Sequence, residues 1–111
     1  MRAMRAFTAL AEPNRLKIIE LLAAHGALSA GQIGSHFPMT AAAISQHLKV
    51  LREAKLVVVQ ARAQRRIYTL NPHGLNAIER WAETMNLLWE SQAELLQARL
   101  EKETKLKALL K

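Results

Sequence analysis

Between Thr40 and Lys49 the chain reads TAAAISQHLK, and the residue types in this stretch suit contact with a nucleic acid. On a helix over residues 40–54, Ile44, Leu48 and Leu51 would share an inward face. Ala42, Ser45, Gln46 and Lys49, at i, i+3, i+4 and i+7, would then line the outward one. A glutamine amide can pair bidentately with adenine, a serine hydroxyl can donate or accept, and a small side chain such as Ala41 or Ala42 can rest on a thymine methyl. Lys49, farther along, suits a phosphate, and Thr40 suits the helix start. A merely solvated helix face usually carries Glu and Lys at helical spacing, whereas this one opens Thr-Ala-Ala-Ala, which permits close approach of a second surface.

A second group of candidates lies some twenty residues on. Arg62, Arg65 and Arg66 flank Ala63-Gln64 between two β-prone runs, VVVQAR and RRIYTL. That pattern predicts a hairpin whose tip gathers three like charges, an arrangement with little structural use unless a polyanion meets it. The arginines could reach phosphates or an adjacent minor groove.

Other chemistry finds less support. His25, His36, His47 and His73 lack the spacing of a zinc site, and the chain has no cysteine, so no metal site and no cofactor is expected. His47 reads as a partly buried, hydrogen-bonded histidine. No Ser/His/Asp grouping, phosphate loop or paired carboxylates stand out, which argues against an enzyme.

These groups need elements to position them. Met4, Phe7 and Leu10 recur at helical spacing and predict a short first helix whose apolar stripe needs another surface, such as a second copy of the chain. Glu12-Pro13 predicts a cap and first helical residue, Leu16, Ile19 and Leu22 with Ile18 and Leu21 an apolar face, and Gly26 the end of a helix over about 13–25. Ser29 and Gln32 form a capping box that opens a two-turn helix to His36, burying Ala30, Ile33 and Phe37. Pro38 stops it and Thr40 caps the next, giving a helix-turn-helix followed by a hairpin wing.

Asn71-Pro72 repeats the cap-plus-proline device and starts a long helix. Its stripe of Ile78, Ala82, Met85, Trp89, Ala93, Leu96 and Leu100 approaches coiled-coil spacing, and pairing of two chains is preferred there over a ligand pocket. The last residues, EKETKLKALLK, are simple enough in composition to fray. The fold expected is mainly α with a small β-hairpin. One domain spans 1–111, with the DNA-binding core and wing in 1–70 and a dimerisation helix in 71–111.

Charge follows the same division. Of the net charge of +7, residues 1–70 hold all, with ten basic side chains against three acidic, while 71–111 hold six of each sign. A basic part joined to a neutral one is expected when the first meets a polyanion and the second does something else. No apolar run approaches the roughly 20 residues needed to span a bilayer, and the N-terminus lacks a signal peptide's apolar segment, so a soluble, cytoplasmic protein is expected.

The segments ALAEPNRLKIIELL, LSAGQIGSHFPMTAAAISQHLKVLREAKLV and RRIYTLNPHGL together resemble the ArsR/SmtB-type repressors over about residues 7–76. ISQHLKVLREAKLV is the most specific part, and it is similar to the metal-independent branch of that family. The resemblance implies a homodimer of winged helix-turn-helix subunits, paired through first and last helices, that represses transcription from double-stranded DNA. Met4, Phe7, Leu10, Ile78, Ala82, Met85, Trp89 and Leu96 are the expected interface. Metal sensors of the family place a cysteine pair where this chain has Ser29 and Gly31, or metal ligands on the last helix that are missing here. Glu12 stands where Asp is usual, and Gln64 where relatives often place glycine, which suggests a hairpin turn that is looser or of another type. Two alternatives stay open. One is a winged-helix adaptor for other proteins, and the other is the same repressor released by a small apolar effector.

Overall fold

A computed structural model describes residues 2–110, with the Arg2 side chain left out. Five helices and three strands run in the order α1 (Arg2–Leu10), α2 (Pro13–His25), β1 (Ala27–Ser29), α3 (Ala30–Gly34), α4 (Ala41–Glu53), β2 (Val57–Arg62), β3 (Arg65–Leu70) and α5 (Pro72–Leu109). The mainly helical winged architecture matches the expectation from sequence. The chain divides into two compact units, one up to Glu79 and one from Arg80 onward.

In the first unit the caps act where the sequence places them. Glu12 accepts from the Arg15 N–H at 2.9 Å and starts α2 with Pro13. Gly26, at φ 85°, ends that helix in a backbone conformation that side chains with a Cβ rarely adopt. Ser29 and Gln32 close the capping box of α3, with the Gln32 N–H donating to Ser29 Oγ at 3.2 Å and the Ser29 N–H to Gln32 Oε1 at 2.8 Å. α3 is shorter than expected, ending at Gly34, after which Ser35, His36 and Phe37 continue in hydrogen-bonded turns.

The core joins α1, α2, α3, α4 and the sheet through Ala6, Ala9, Ile18, Leu22, Ile33, Ile44, Leu48, Leu51, Leu56, Val57 and Tyr68. Two details differ from the helical stripes read from sequence. Leu16 is 42% exposed, because α2 turns Ile18, Ile19 and Leu22 inward instead. α1 meets the core through Ala6 and Ala9, small residues that let it approach closely, and leaves Met4 62% exposed. Arg15 fastens that approach, its Nε donating to the Ala9 carbonyl at 2.6 Å.

The sheet has three strands, not two. β1 adds to the hairpin in the order β1-β3-β2, all antiparallel, with Leu28 opposite Tyr68 and Val59 opposite Tyr68 from the other side. The wing turns on Ala63-Gln64 as expected, and Ala63 takes φ 56°. Only the first turn residue has positive φ, the sign pattern of a II′ hairpin turn and not of the I′ turn that Asn-Gly favours.

α4 ends in a Schellman motif. The Leu56 N–H donates to the Leu51 carbonyl at 3.0 Å and the Lys55 N–H to that of Arg52 at 3.0 Å, with Lys55 at φ 60° in the place usually given to glycine. Asn71 then grips this turn, its N–H on the Leu56 carbonyl at 2.9 Å and its Nδ2 on the Lys55 carbonyl at 2.8 Å. Asn71 Oδ1 also caps α5 by accepting from the His73 N–H at 3.2 Å.

The second unit is the helical stretch from Arg80. The C-terminal residues expected to fray are helical to Leu109, as their Ala, Leu, Glu and Lys content and lack of Gly and Pro favour. Met85, Leu88, Trp89, Leu95, Leu96 and Leu100 are all exposed on it. No helix is long and apolar enough to cross a membrane among the described residues.

Candidate nucleic-acid interface

α4 is held at both edges of its inner face. Ile44, Leu48 and Leu51 are each 2% exposed or less, and Thr40 Oγ1 accepts from the Ala43 N–H at 3.1 Å to start the helix. His47, partly buried, approaches the Glu12 carboxylate through Nδ1 at 3.7 Å, linking α4 to the cap of α2. Partial shielding from water pushes the Glu12 carboxyl up. The Arg15 N–H, the nearby His47, the Asn14 amide and the Arg15 charge outweigh this and hold it below its ordinary value. His47 is partly buried beside the inner face, as expected, but its approach to Glu12 at 3.7 Å is longer than the hydrogen bond expected of it.

With the inner face fixed, Thr40, Ala41, Ala42, Ser45, Gln46 and Lys49 all stand exposed on the outside of α4. Glu53 is the only carboxylate in the sequence between Leu21 and Ile78, so this face is free of acid from Thr40 to Lys49 and meets one only at the C-terminal end of α4. The short, small-residue N-terminal turn keeps the backbone accessible, and the longer Gln46 and Lys49 project from the following turns.

The wing arginines divide between the two faces of the ribbon. Arg62 and Arg65 are register partners, whereas Arg66 pairs with Ala61. Successive side chains alternate faces, so Arg62 and Arg65 lie directly opposite each other on one face and Arg66 points to the other. All three are exposed. Like charges directly across a ladder are destabilising, and a phosphate or another anion between them would reverse the sign of that contact.

A surface concavity joins the wing to α3, lined by Ser29, Gly31, Gln32, Ser35, Arg65 and Arg66 among others. Gln32 and Ser35 were missed as candidates on sequence grounds. Ser29 and Gln32 carry a capping signal that accounts for them structurally, and only the pairing of β1 with β3 brings them beside the arginines. Among the described residues no group of three or more His, Cys, Asp or Glu side chains could hold a metal ion. The residues expected at an interface with a second copy are divided. Leu10 and Ile78 pack partly against the first unit's core, Phe7 and Ala82 are half-buried, and Met4, Met85, Trp89 and Leu96 are exposed.

Comparison with known proteins gives this arrangement a context. Residues 10–60 match a family model described as a helix-turn-helix domain. The chain is 46% identical over 74 residues to the HTH-type transcriptional regulator Rv2034 of Mycobacterium tuberculosis, covering 67% of this chain and 68% of that one. It is 31% identical over 77 residues to the arsenical resistance operon repressor of Staphylococcus xylosus, covering 69% and 73%. Among solved structures, an ArsR family transcriptional regulator superposes with a TM-score of 0.75 at 22% identity over 81% of this chain and 92% of that one, a likeness of fold.

Proposed function

Because the chain belongs to the ArsR-type family of helix-turn-helix transcriptional repressors, we propose that it represses as a homodimer on a pseudo-palindromic operator, read through α4 and gripped by the wing. In this reading α4 enters the major groove. Gln46 pairs with a base, adenine being the best match, and Ser45 hydrogen-bonds beside it. Thr40, Ala41 and Ala42 lie against the groove floor or sugar-phosphate edge, and Lys49 meets a phosphate. Arg62 and Arg65 share phosphates on one side of the wing while Arg66 serves the other.

The observation that carries this reading is the outer face of α4 from Thr40 to Lys49, small at its start, polar at Ser45 and Gln46, cationic at Lys49, and free of carboxylates until Glu53 at the helix end. In this reading the second copy pairs through the exposed Met4, Met85, Trp89 and Leu96, together with Phe7, Leu10, Ile78 and Ala82. Two-fold pairing places recognition helices roughly 34 Å apart, one turn of DNA. Since Ser29 and Gly31 offer no thiolate and α5 offers no His/Asp set, release from DNA does not use the family's metal chemistry.

Selection of bound fragments from random DNA tests the reading. A recurring inverted repeat is expected, and Gln46→Ala should relax specificity at one position in each half, costing about 1–3 kcal/mol there. Recovery of no common sequence, together with a stable complex between this chain and a different protein, would favour the adaptor instead.

A further inference from the structure

We propose that the first unit carries a binding site for a compact organic anion, a carboxylate on a small flat apolar body, in the cavity between α1, the end of α4 and the start of α5. The cavity measures about 280 Å³ and lies wholly within the unit that ends at Glu79. That is close to the lower end of the range usual for small-molecule sites and suits a body of about ten heavy atoms. None of its residues belongs to the proposed operator surface or to the proposed pairing stripe.

Its lining has the two-part character of such a site. Ala54, Gly74 and Ala77 give a floor without bulky side chains, and Arg5 of α1, Lys55 of the turn after α4 and His73 of α5 bring basic side chains to its edge. Among the described residues Glu53 is the one carboxylate there, so the cations outnumber it. Among the described residues neither Arg5 nor Lys55 has an ion-pair partner. A ligand carboxylate would meet at least two donors, and its ring or chain would cover the alanines and the glycine.

The floor of the cavity is also the joint between the proposed recognition helix and α5. Lys55 holds φ 60°, and its carbonyl accepts from Asn71 Nδ2 at 2.8 Å. A Cβ on Gly74 would come within 3.0 Å of the Lys55 carbonyl carbon and 3.2 Å of Leu56 Cα, so the two segments touch through the glycine's missing side chain. A ligand seated on Ala54, Lys55 and Gly74 contacts both sides of that joint. Any difference in its affinity between the free and operator-bound protein therefore appears as an equal change in operator affinity.

Calorimetric titration of the full chain with benzoate and salicylate tests the site, with benzamide as the uncharged counterpart. Saturable binding of an acid is expected, weaker by about tenfold or more for benzamide and for Lys55→Gly. Lys55→Gly removes the cation while placing glycine where the Schellman turn favours it, so loss of binding by this variant cannot be laid to misfolding. Ala77→Leu should abolish binding by filling the cavity. Failure of both acids to bind, equal binding of benzamide, or unchanged binding by both variants overturns the site. Operator affinity measured with and without saturating acid then tests the coupling, and a bound acid that leaves it unchanged overturns the effector role. Operator binding without acid is a separate measurement, so failure here is distinguishable from failure of the repressor reading.

Discussion

Replacing Gly74 by alanine sets local helix preference against tertiary packing, and the two predict opposite signs. Gly74 lies in the first turn of α5, where alanine is favoured by up to about 1 kcal/mol on helix propensity alone. The added Cβ would come within 3.0 Å of the Lys55 carbonyl carbon, 3.2 Å of Leu56 Cα, and closer still to the Lys55 carbonyl oxygen, all of it backbone that cannot swing aside. Relief requires moving the start of α5 off the end of α4. That movement breaks the Asn71 N–H bond to Leu56 and the Asn71 Nδ2 bond to Lys55, at 2.9 and 2.8 Å. Two hydrogen bonds at about 1 kcal/mol each and about 2 kcal/mol of crowding, less the propensity gain, leave a loss of about 3 kcal/mol. A domain of this size holds about 5–15 kcal/mol in total, so the variant should melt at least about 10 °C lower. Urea and thermal unfolding followed by circular dichroism, at one fixed protein concentration, provide the assay. A variant as stable as the parent or more so would show that the α4–α5 joint is not built as described.

Three further outcomes are expected. Arg65→Ala should weaken binding to every DNA sequence alike and lower the slope of log affinity against log salt by about one unit, and a parental slope in anisotropy titrations would remove this arginine from the phosphates. Trp89→Glu should leave the circular dichroism of the first unit intact, since Trp89 is 73% exposed. It should cost the pair of chains about 3–5 kcal/mol, and an unchanged dissociation constant in sedimentation would place the contact elsewhere. Glu12 has a lowered folded pKa, so the stability it contributes is present above the unfolded value near 4.5 and is lost as the pH falls through the folded one. Glu12→Gln should therefore lose less stability than the parent on acidification through that range, and parallel melting curves against pH would contradict the link to Arg15 and His47.

The helix boundaries were legible because their chemistry is local. Glu12-Pro13, the Ser29–Gln32 box, Thr40 and Asn71-Pro72 each satisfy backbone groups within a few residues, and Gly26 supplies the one left-handed position that glycine marks. Lys55 and Ala63 take the same kind of backbone without glycine, so neither turn could be read in detail. β1 is three residues long and owes its existence to β3, which no local pattern announces. The inner side of α1 was hidden for another reason. Ala6 and Ala9 pack because they are small, and a search for large apolar residues finds Met4, Phe7 and Leu10.

The candidate site divides along the same line. The outer strip of α4 followed from its inner one, because 3.6-residue periodicity fixes both at once. The grouping of Arg62 with Arg65 and apart from Arg66 depends on strand register, and the nearness of Gln32 and Ser35 to the wing depends on β1, so both required the folded chain.

The most direct test of the DNA-reading surface is a nuclear magnetic resonance map of backbone and side-chain amides with and without a selected operator fragment. The largest shifts should fall on residues 40–49, including the Gln46 side-chain amide, and on 61–66, with the exposed apolar face of residues 85–100 little changed by DNA. Shifts concentrated on that apolar face, with α4 and the wing silent, would contradict the account.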